Sequence, residues 1–284
     1  MRARRGCALA VAVALLCGAC SRSEKGAASA PAQPSGPSET LAFRVRVENT
    51  TGRTLRSARV FLYAPVSDAA GQQAGQVSAS LPHELLRDAL GNQRVYLQLK
   101  DVAPGYSAEV AVQARVAFAP PPPAPQTESR ARARRALPPE RTRPEIAEAA
   151  KSLKRESDGD TARSTLARLD ELAQQKSDPL SAGLDSPAGR VALAVALLRA
   201  NGIPARAVLG VSVRDGKLVG DALSIWLEYP LDGAWRRELA PAPAADGERW
   251  VAMRVLRNPA ELAGSDWSLE RLFESGGLRV RLES

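Results

Sequence analysis

The chain has 284 residues, 44% of them hydrophobic and 25% charged, with a formal net charge of +8 and a sequence pI of about 9.8. That length accommodates two modest domains, and the composition is that of a globular protein rather than a disordered or fibrous one. A single histidine, and three cysteines that all precede residue 21, exclude a histidine-based metal cluster, a disulfide framework and a thiol nucleophile downstream.

The first residues carry Arg2, Arg4 and Arg5, then an apolar run from Cys7 to Leu16, then Gly18 and Ala19 before Cys20. This is the pattern of a secretory signal over residues 1–19, with an apolar run too short to span a bilayer. Its ending, LLCGAC, resembles a bacterial lipoprotein signal, which makes Cys20 the expected lipidation site. An ordinary cleaved signal with incidental cysteines fits the same residues. The lipoprotein reading implies a chain anchored to the cell envelope, with Ser21 favouring the outer membrane, facing the periplasm, over the inner one. Residues 20–40, rich in Ser, Ala, Pro and Gly, read as a flexible tether.

Alternation begins at Leu41. Leu41, Phe43, Val45 and Val47 share one face and Arg44, Arg46 and Glu48 the other, as in a half-buried strand. LRSARVFLYAPV, RVYLQLKDV and SAEVAVQARVAF repeat the pattern, with turn signals at Thr51-Gly52, Gly91-Asn92 and Ala103-Pro104-Gly105. Residues 41–118 are therefore expected to form an antiparallel β-sandwich of immunoglobulin-like kind. His83 lies in a loop of this region, as a surface or capping residue. Residues 119–143 break the pattern with a proline run and with Arg130, Arg132, Arg134, Arg135, Arg141 and Arg143. The prolines impose an extended linker. The arginines form either a solvated charged segment or a contact for an anionic surface, and without aromatic platforms beside them no nucleic-acid partner is expected.

Residues 144–284 are expected to hold the second domain. Ile146, Ala149, Ala150 and Leu153 recur at helical spacing after Pro144, and Leu166, Leu169 and Leu172 line a second helix capped by Asp160 or Thr161. In DSPAGRVALAVALLRANGIPAR, Ser186 is a good N-cap and Pro187 suits the first helical position. Residues 188–200 are small or apolar almost all round, as in a buried helix, and Asn201-Gly202 stops it. ARAVLGVSV, LVGDALSIWLEYP and AWRREL follow as strands. The tail adds a strand, two short helices near Asn258-Pro259 and Leu269–Phe273, and a last alternating strand. Trp250 and Trp267 read as core or interdomain anchors.

LLRANGIPAR followed by AVLGVSV resembles the core of the transglutaminase-like (papain-like thiol) superfamily. The strand and turn motifs of residues 41–118 are similar to the β-sandwich that precedes this core in some bacterial members. The fold class implied is α+β, an N-terminal antiparallel β-sandwich followed by a helix-plus-antiparallel-sheet domain. In the family a cysteine opens the buried helix, a His-Ala-Trp-Val-Glu motif lies on the second strand, and an Asp-Pro follows a tryptophan. Here the corresponding positions are Pro187 (Ser186 with a one-residue slip), Ser224-Ile225-Trp226-Leu227-Glu228, and Ala240-Pro241 after Trp235. A thiolate, its base and the base's orienter are all replaced, and losing one such group alone costs orders of magnitude in rate.

The resemblance thus implies a pseudoenzyme without cofactor or metal. Its reading is a lipid-anchored envelope protein that binds or scaffolds a protein or peptidoglycan partner, with Ser186, Trp226, Glu228 and Trp235 as candidates to line the cleft. The alternative is a hydrolase or acyl transferase with replaced chemistry, using Ser186 or Ser224 with Asp185, Asp221 or Glu228, or a Ser–Lys pair with Lys217. A third reading is a structural envelope protein whose cleft is filled by its own side chains.

Overall fold

The computed structural model describes residues 38–118, 137, 143–175, 177–242, 245–258, 261 and 267–283. All of them fall in one compact unit, Gln33–Ser284; Met1–Ala32, with Cys20 and the expected signal, lies outside the described residues, as does most of the linker.

The first half is built from β1 (Ser38–Glu48), β2 (Leu55–Ala64), β3 (Asp68–Ala69), β4 (Gln72–Ala79), β5 (Glu84–Arg87), β6 (Gln93–Val102) and β7 (Ser107–Ala117). β1, β2 and β7 alternate buried and exposed residues, as the period-two pattern requires. The stretch between β2 and β6, which reads as turns in sequence, adds three short strands. They are held by pairing rather than by any apolar run of their own, β4 against β7 and β5 against β6.

The second half carries helices α1 (Pro144–Leu153), α2 (Asp158–Gln174) and α3 (Pro187–Ala200), then β8 (Arg206–Arg214), β9 (Lys217–Leu231), β10 (Ala234–Glu238), β11 (Arg249–Leu256), β12 (Phe273–Ser275) and β13 (Arg279–Glu283). The cap of α2 is Ser157, whose hydroxyl accepts from the Asp160 amide, one turn earlier than the sequence suggests. α3 spans the expected residues, from its N-cap Ser186 to Gly202, which takes φ of 78°.

The division expected at residue 143 is not how the strands pair. One nine-stranded sheet runs β11-β8-β9-β1-β7-β4-β3, with β10 against β9 and β13 against β1. β13 therefore returns to the first half, where Arg46 faces Arg281 and Val47 faces Val280. β12 likewise joins β2 at the edge of the four-stranded sheet β12-β2-β6-β5. β1 and β9 meet in parallel at Ala42 and Lys217, and the Ala42 amide donates to the Gly216 carbonyl. The fold is mixed α+β with two sheets, and the apolar faces of both sheets share one core with the helices, from Val45 and Leu62 to Leu197 and Leu227.

A second, smaller core occupies the other face of the β11-β8-β9 part. It contains Val66, Ala69, Leu90, Leu137, Val208, Trp226, Ala252 and Val255. Two buried carboxamides close it along β11. Gln72 donates to the Ala252 carbonyl and accepts from the Ala252 amide, at 3.0 and 2.8 Å. Asn92 does the same for Val255, at 2.9 and 2.6 Å. Each amide side chain thus takes the place of a neighbouring strand on an edge that would otherwise bury unpaired backbone groups.

Candidate functional site

Strand alternation on β9 separates two sets of side chains. Leu223, Ile225, Leu227 and Tyr229 belong to the main core with α3, whereas Trp226 belongs to the second core, with Glu228 on its face. Trp226 and Glu228 are both 0% exposed. Room for the Trp226 ring comes from Gly210 on β8, where an added Cβ would lie 2.0 Å from the ring.

Glu228 is saturated. Its Oε2 accepts from Arg206 Nη2 at 2.8 Å and Nε at 3.1 Å, while its Oε1 accepts from Trp226 Nε1 at 3.0 Å and the Ala70 amide at 3.2 Å. Arg206 also donates to the Asp68 carbonyl at 2.8 Å, and its guanidinium lies 3.6 Å from the Trp235 ring centroid. Arg237, opposite Glu228 on β10, donates to the Ala70 carbonyl and covers the Trp226 ring at 4.6 Å. Burial holds the Arg237 guanidinium below the usual arginine value, with the Glu228 charge opposing that shift. The row Arg206–Glu228–Arg237 therefore reads the backbone of the chain's own residues 68–70.

The start of α3 is arranged differently. Ser186 is exposed, and its Oγ accepts from the Gly189 amide at 3.0 Å and donates to the Gly183 carbonyl at 2.9 Å. The Gly183 carbonyl folds so close over the first turn that a Cβ on Gly189 would sit 1.9 Å from it. The turn leading in is fixed by Asp178, whose carboxylate accepts from the Leu180 amide and pairs with Arg168 at 3.1 Å.

A buried helix, a Gly turn and an antiparallel sheet in this order match a known family. Residues 177–254 fit the model of the Transglutaminase-like superfamily. This segment is similar to a transglutaminase-like core. Two solved structures are similar to the chain. One is a "putative cysteine protease" from Cytophaga hutchinsonii, with 14% identity, 87% of this chain and 90% of that one covered, and a TM-score of 0.48. The other is a "putative protease" from Parabacteroides distasonis, with 12% identity, 77% of this chain and 47% of that one covered, and a TM-score of 0.28. No curated protein matches the sequence.

Within and beside the matched segment, the expected site residues divide between these two places. Pro187 is the exposed first residue of α3, and Ser186 is its cap. Ser224 is half-buried on β9 opposite Gly210, and Ala240 is half-buried against the second core. Trp226, Glu228 and Trp235 do come together, around Arg206. Trp226 and Glu228 were expected to line a ligand cleft. Full burial, together with bonds to Ala70 and to Arg206, which itself holds Asp68, makes them instead a seam between the two halves of the chain.

Asp185 is exposed, and the side chain of Asp221 lies outside the described residues. His83 is half-buried, its Nδ1 2.9 Å from the Leu81 carbonyl, as a turn residue would be. Trp250 donates to the Pro241 carbonyl at 2.7 Å, and Trp267 packs on the main core beneath Arg271. Arg206, Arg237, Gln72 and Asn92 are the site residues that sequence reasoning misses. Arg206 had a signal, since a charge between two apolar runs facing a strand glutamate requires a partner. Among the described residues, no group of three or more His, Cys, Asp or Glu side chains could hold a metal, and no helix is long and apolar enough to cross a membrane.

Proposed function

We propose that this chain is a non-catalytic member of the transglutaminase-like group that works by binding. It would sit in the cell envelope, anchored through Cys20, and hold a protein or peptidoglycan partner, with its first half an immunoglobulin-like sandwich. The observation that supports this most directly is the start of α3. In the family the helix N-terminus and a histidine stabilise a thiolate there. Here the Gly189 amide at that end is taken by Ser186, and the residue after Ser186 is Pro187, which carries no nucleophile. Ser224 and Ala240, at the base and orienter positions, cannot accept a proton near neutral pH or orient a base.

The alternative, a hydrolase or acyl transferase acting through Ser186 or Ser224, needs a base at the hydroxyl. The Ser186 hydroxyl donates to the Gly183 carbonyl, which has no capacity to take its proton. Purified protein incubated with glutamine donors, amines and peptide substrates should give no turnover above background. Turnover that disappears in Ser186→Ala or Ser224→Ala would establish the enzyme reading instead.

A further inference from the structure

On β1, Leu41, Phe43, Val45 and Val47 point into the main core, so the residues between them face outward. That outer face of the nine-stranded sheet is rich in cations. β1 presents Arg44 and Arg46 on it, β7 presents Arg115, β13 presents Arg279 and Arg281, and Lys217 stands where β9 meets Ala42. All six are exposed, and three carboxylates share the face with them, Glu48, Glu109 and Glu283. Arg44 pairs with Glu109 at 3.2 Å and Arg46 with Glu283, whereas Arg115, Arg279, Arg281 and Lys217 form no ion pair with a described residue.

Register sets Arg46 directly opposite Arg281, and like charges so placed disfavour the pairing of their strands. Solvation leaves that repulsion in place, and an anionic surface laid over the pair relieves it. The cations do not converge on a point, as they would around a single phosphate. From the Thr40 row, with Arg115, to the Glu48 row, with Arg279, they extend about 27 Å along β1 and across three adjacent strands. A broad surface fits that spread. Ser38, the first residue of β1, is tied to the same face, its Oγ accepting from Arg115 Nε at 3.0 Å. Ser38 lies eighteen residues beyond Cys20, at most about 60 Å of chain.

We propose that this basic face docks on an anionic lipid leaflet, a second contact beside the anchor at Cys20. The inference rests on the envelope-anchored reading for its setting, while the lipid contact itself requires no acyl chain. Each arginine close to such a leaflet raises partitioning about fivefold, and salt screens the gain.

The test uses residues 20–284, which contain the whole compact unit Gln33–Ser284, with Cys20→Ser so that no acyl chain contributes. Co-sedimentation is measured with vesicles of phosphatidylcholine alone or of an equal mixture with phosphatidylglycerol. The chain should bind the anionic vesicles, ignore the neutral ones, and be released by high salt. Arg115→Gln, Arg279→Gln and Arg281→Gln together should weaken binding by about tenfold or more. Arg59→Gln, Arg155→Gln and Arg257→Gln, which remove the same charge from exposed positions elsewhere, should weaken it by less than about threefold. Arg281→Gln alone should weaken it about fivefold without lowering Tm, because it removes the charge facing Arg46, so the outcome does not depend on the triple variant folding. No binding to the anionic vesicles, equal binding to both kinds, or equal losses from the two triple variants overturns the proposal. So does binding of a soluble acidic polymer, polyglutamate, through the same arginines while vesicles are ignored. The mass of the chain isolated from its own membrane reports acylation of Cys20 separately. A bare Cys20 with vesicle binding intact defeats the anchor and upholds the lipid contact.

Discussion

Tyr63 illustrates how single residues in this chain are fixed by burial plus one polar contact. Its ring is 6% exposed under the Arg254 guanidinium, and its hydroxyl donates to Glu274 at 3.1 Å. Burial, the largest cause, pushes its phenol up from 10.0 to about 12, against the favourable charge of Arg254. The folded chain thus keeps the phenol neutral after the unfolded chain has begun to ionise it. The resulting stability is complete below about pH 10 and is lost as pH rises toward 12. Urea midpoints measured across that range should fall for the unmodified chain and fall less steeply for Tyr63→Phe. Equal slopes would contradict the assignment. Glu228 follows the same logic with a charge. A carboxylate 0% exposed is tolerable because four donors meet it.

At the scale of elements, β11 is the instructive strand. Its inner edge pairs with β8, while its outer edge meets side-chain amides at Ala252 and Val255. Asn92→Ala leaves the Val255 N–H and C=O of β11 without their side-chain partner, and Gln72→Ala leaves the Ala252 N–H without one, its carbonyl still accepting from the Val66 amide at 2.8 Å. Each should cost about 1–3 kcal/mol in chemical denaturation, since an unmade buried hydrogen bond carries the full desolvation penalty. A loss under about 0.5 kcal/mol, the level of an ordinary surface change, would show that β11 does not depend on the clamps.

The helices and the long strands were legible in sequence because their signals are local. Ser186, Pro187 and Gly202 bracket α3, and strict alternation marks β1 and β7. The clamps were not, because nothing near Gln72 or Asn92 in the chain announces a partner 180 or 163 residues away. β3, β4 and β5 were missed for a related reason: β3 and β4 are mostly polar or small, β5 is only four residues long, and it is pairing of β3 with β4, β4 with β7 and β5 with β6 that makes them strands.

On the scale of the whole molecule, the two halves read as successive domains, yet the fold interleaves them. The chain enters at β1, crosses to the helices and to β8–β11, and comes back so that β12 and β13 complete the sheets begun by β2 and β1. Sequence shows the order of elements but not which early strand a late one will join, and β13, with Val280 and Leu282 alternating against arginines, would suit any half-open edge. The same interleaving explains the fate of the motif strand. Trp226 and Glu228 are kept where the resemblance places them, but the loop of residues 66–70 lies over them, so the face serves cohesion.

Glu228→Ala, studied in the full chain, tests this most directly. It strands Arg206, 3% exposed, without its carboxylate at the junction of the halves. Breaking a buried pair in this way costs about 3–5 kcal/mol, or roughly 10 °C in Tm for a chain of this size. Thermal unfolding and substrate turnover should be measured on the same preparations. The account predicts a Tm lowered by that amount, with turnover at background before and after. An unchanged Tm, or a measurable turnover that the substitution abolishes, would show that Glu228 serves a reaction and not the seam.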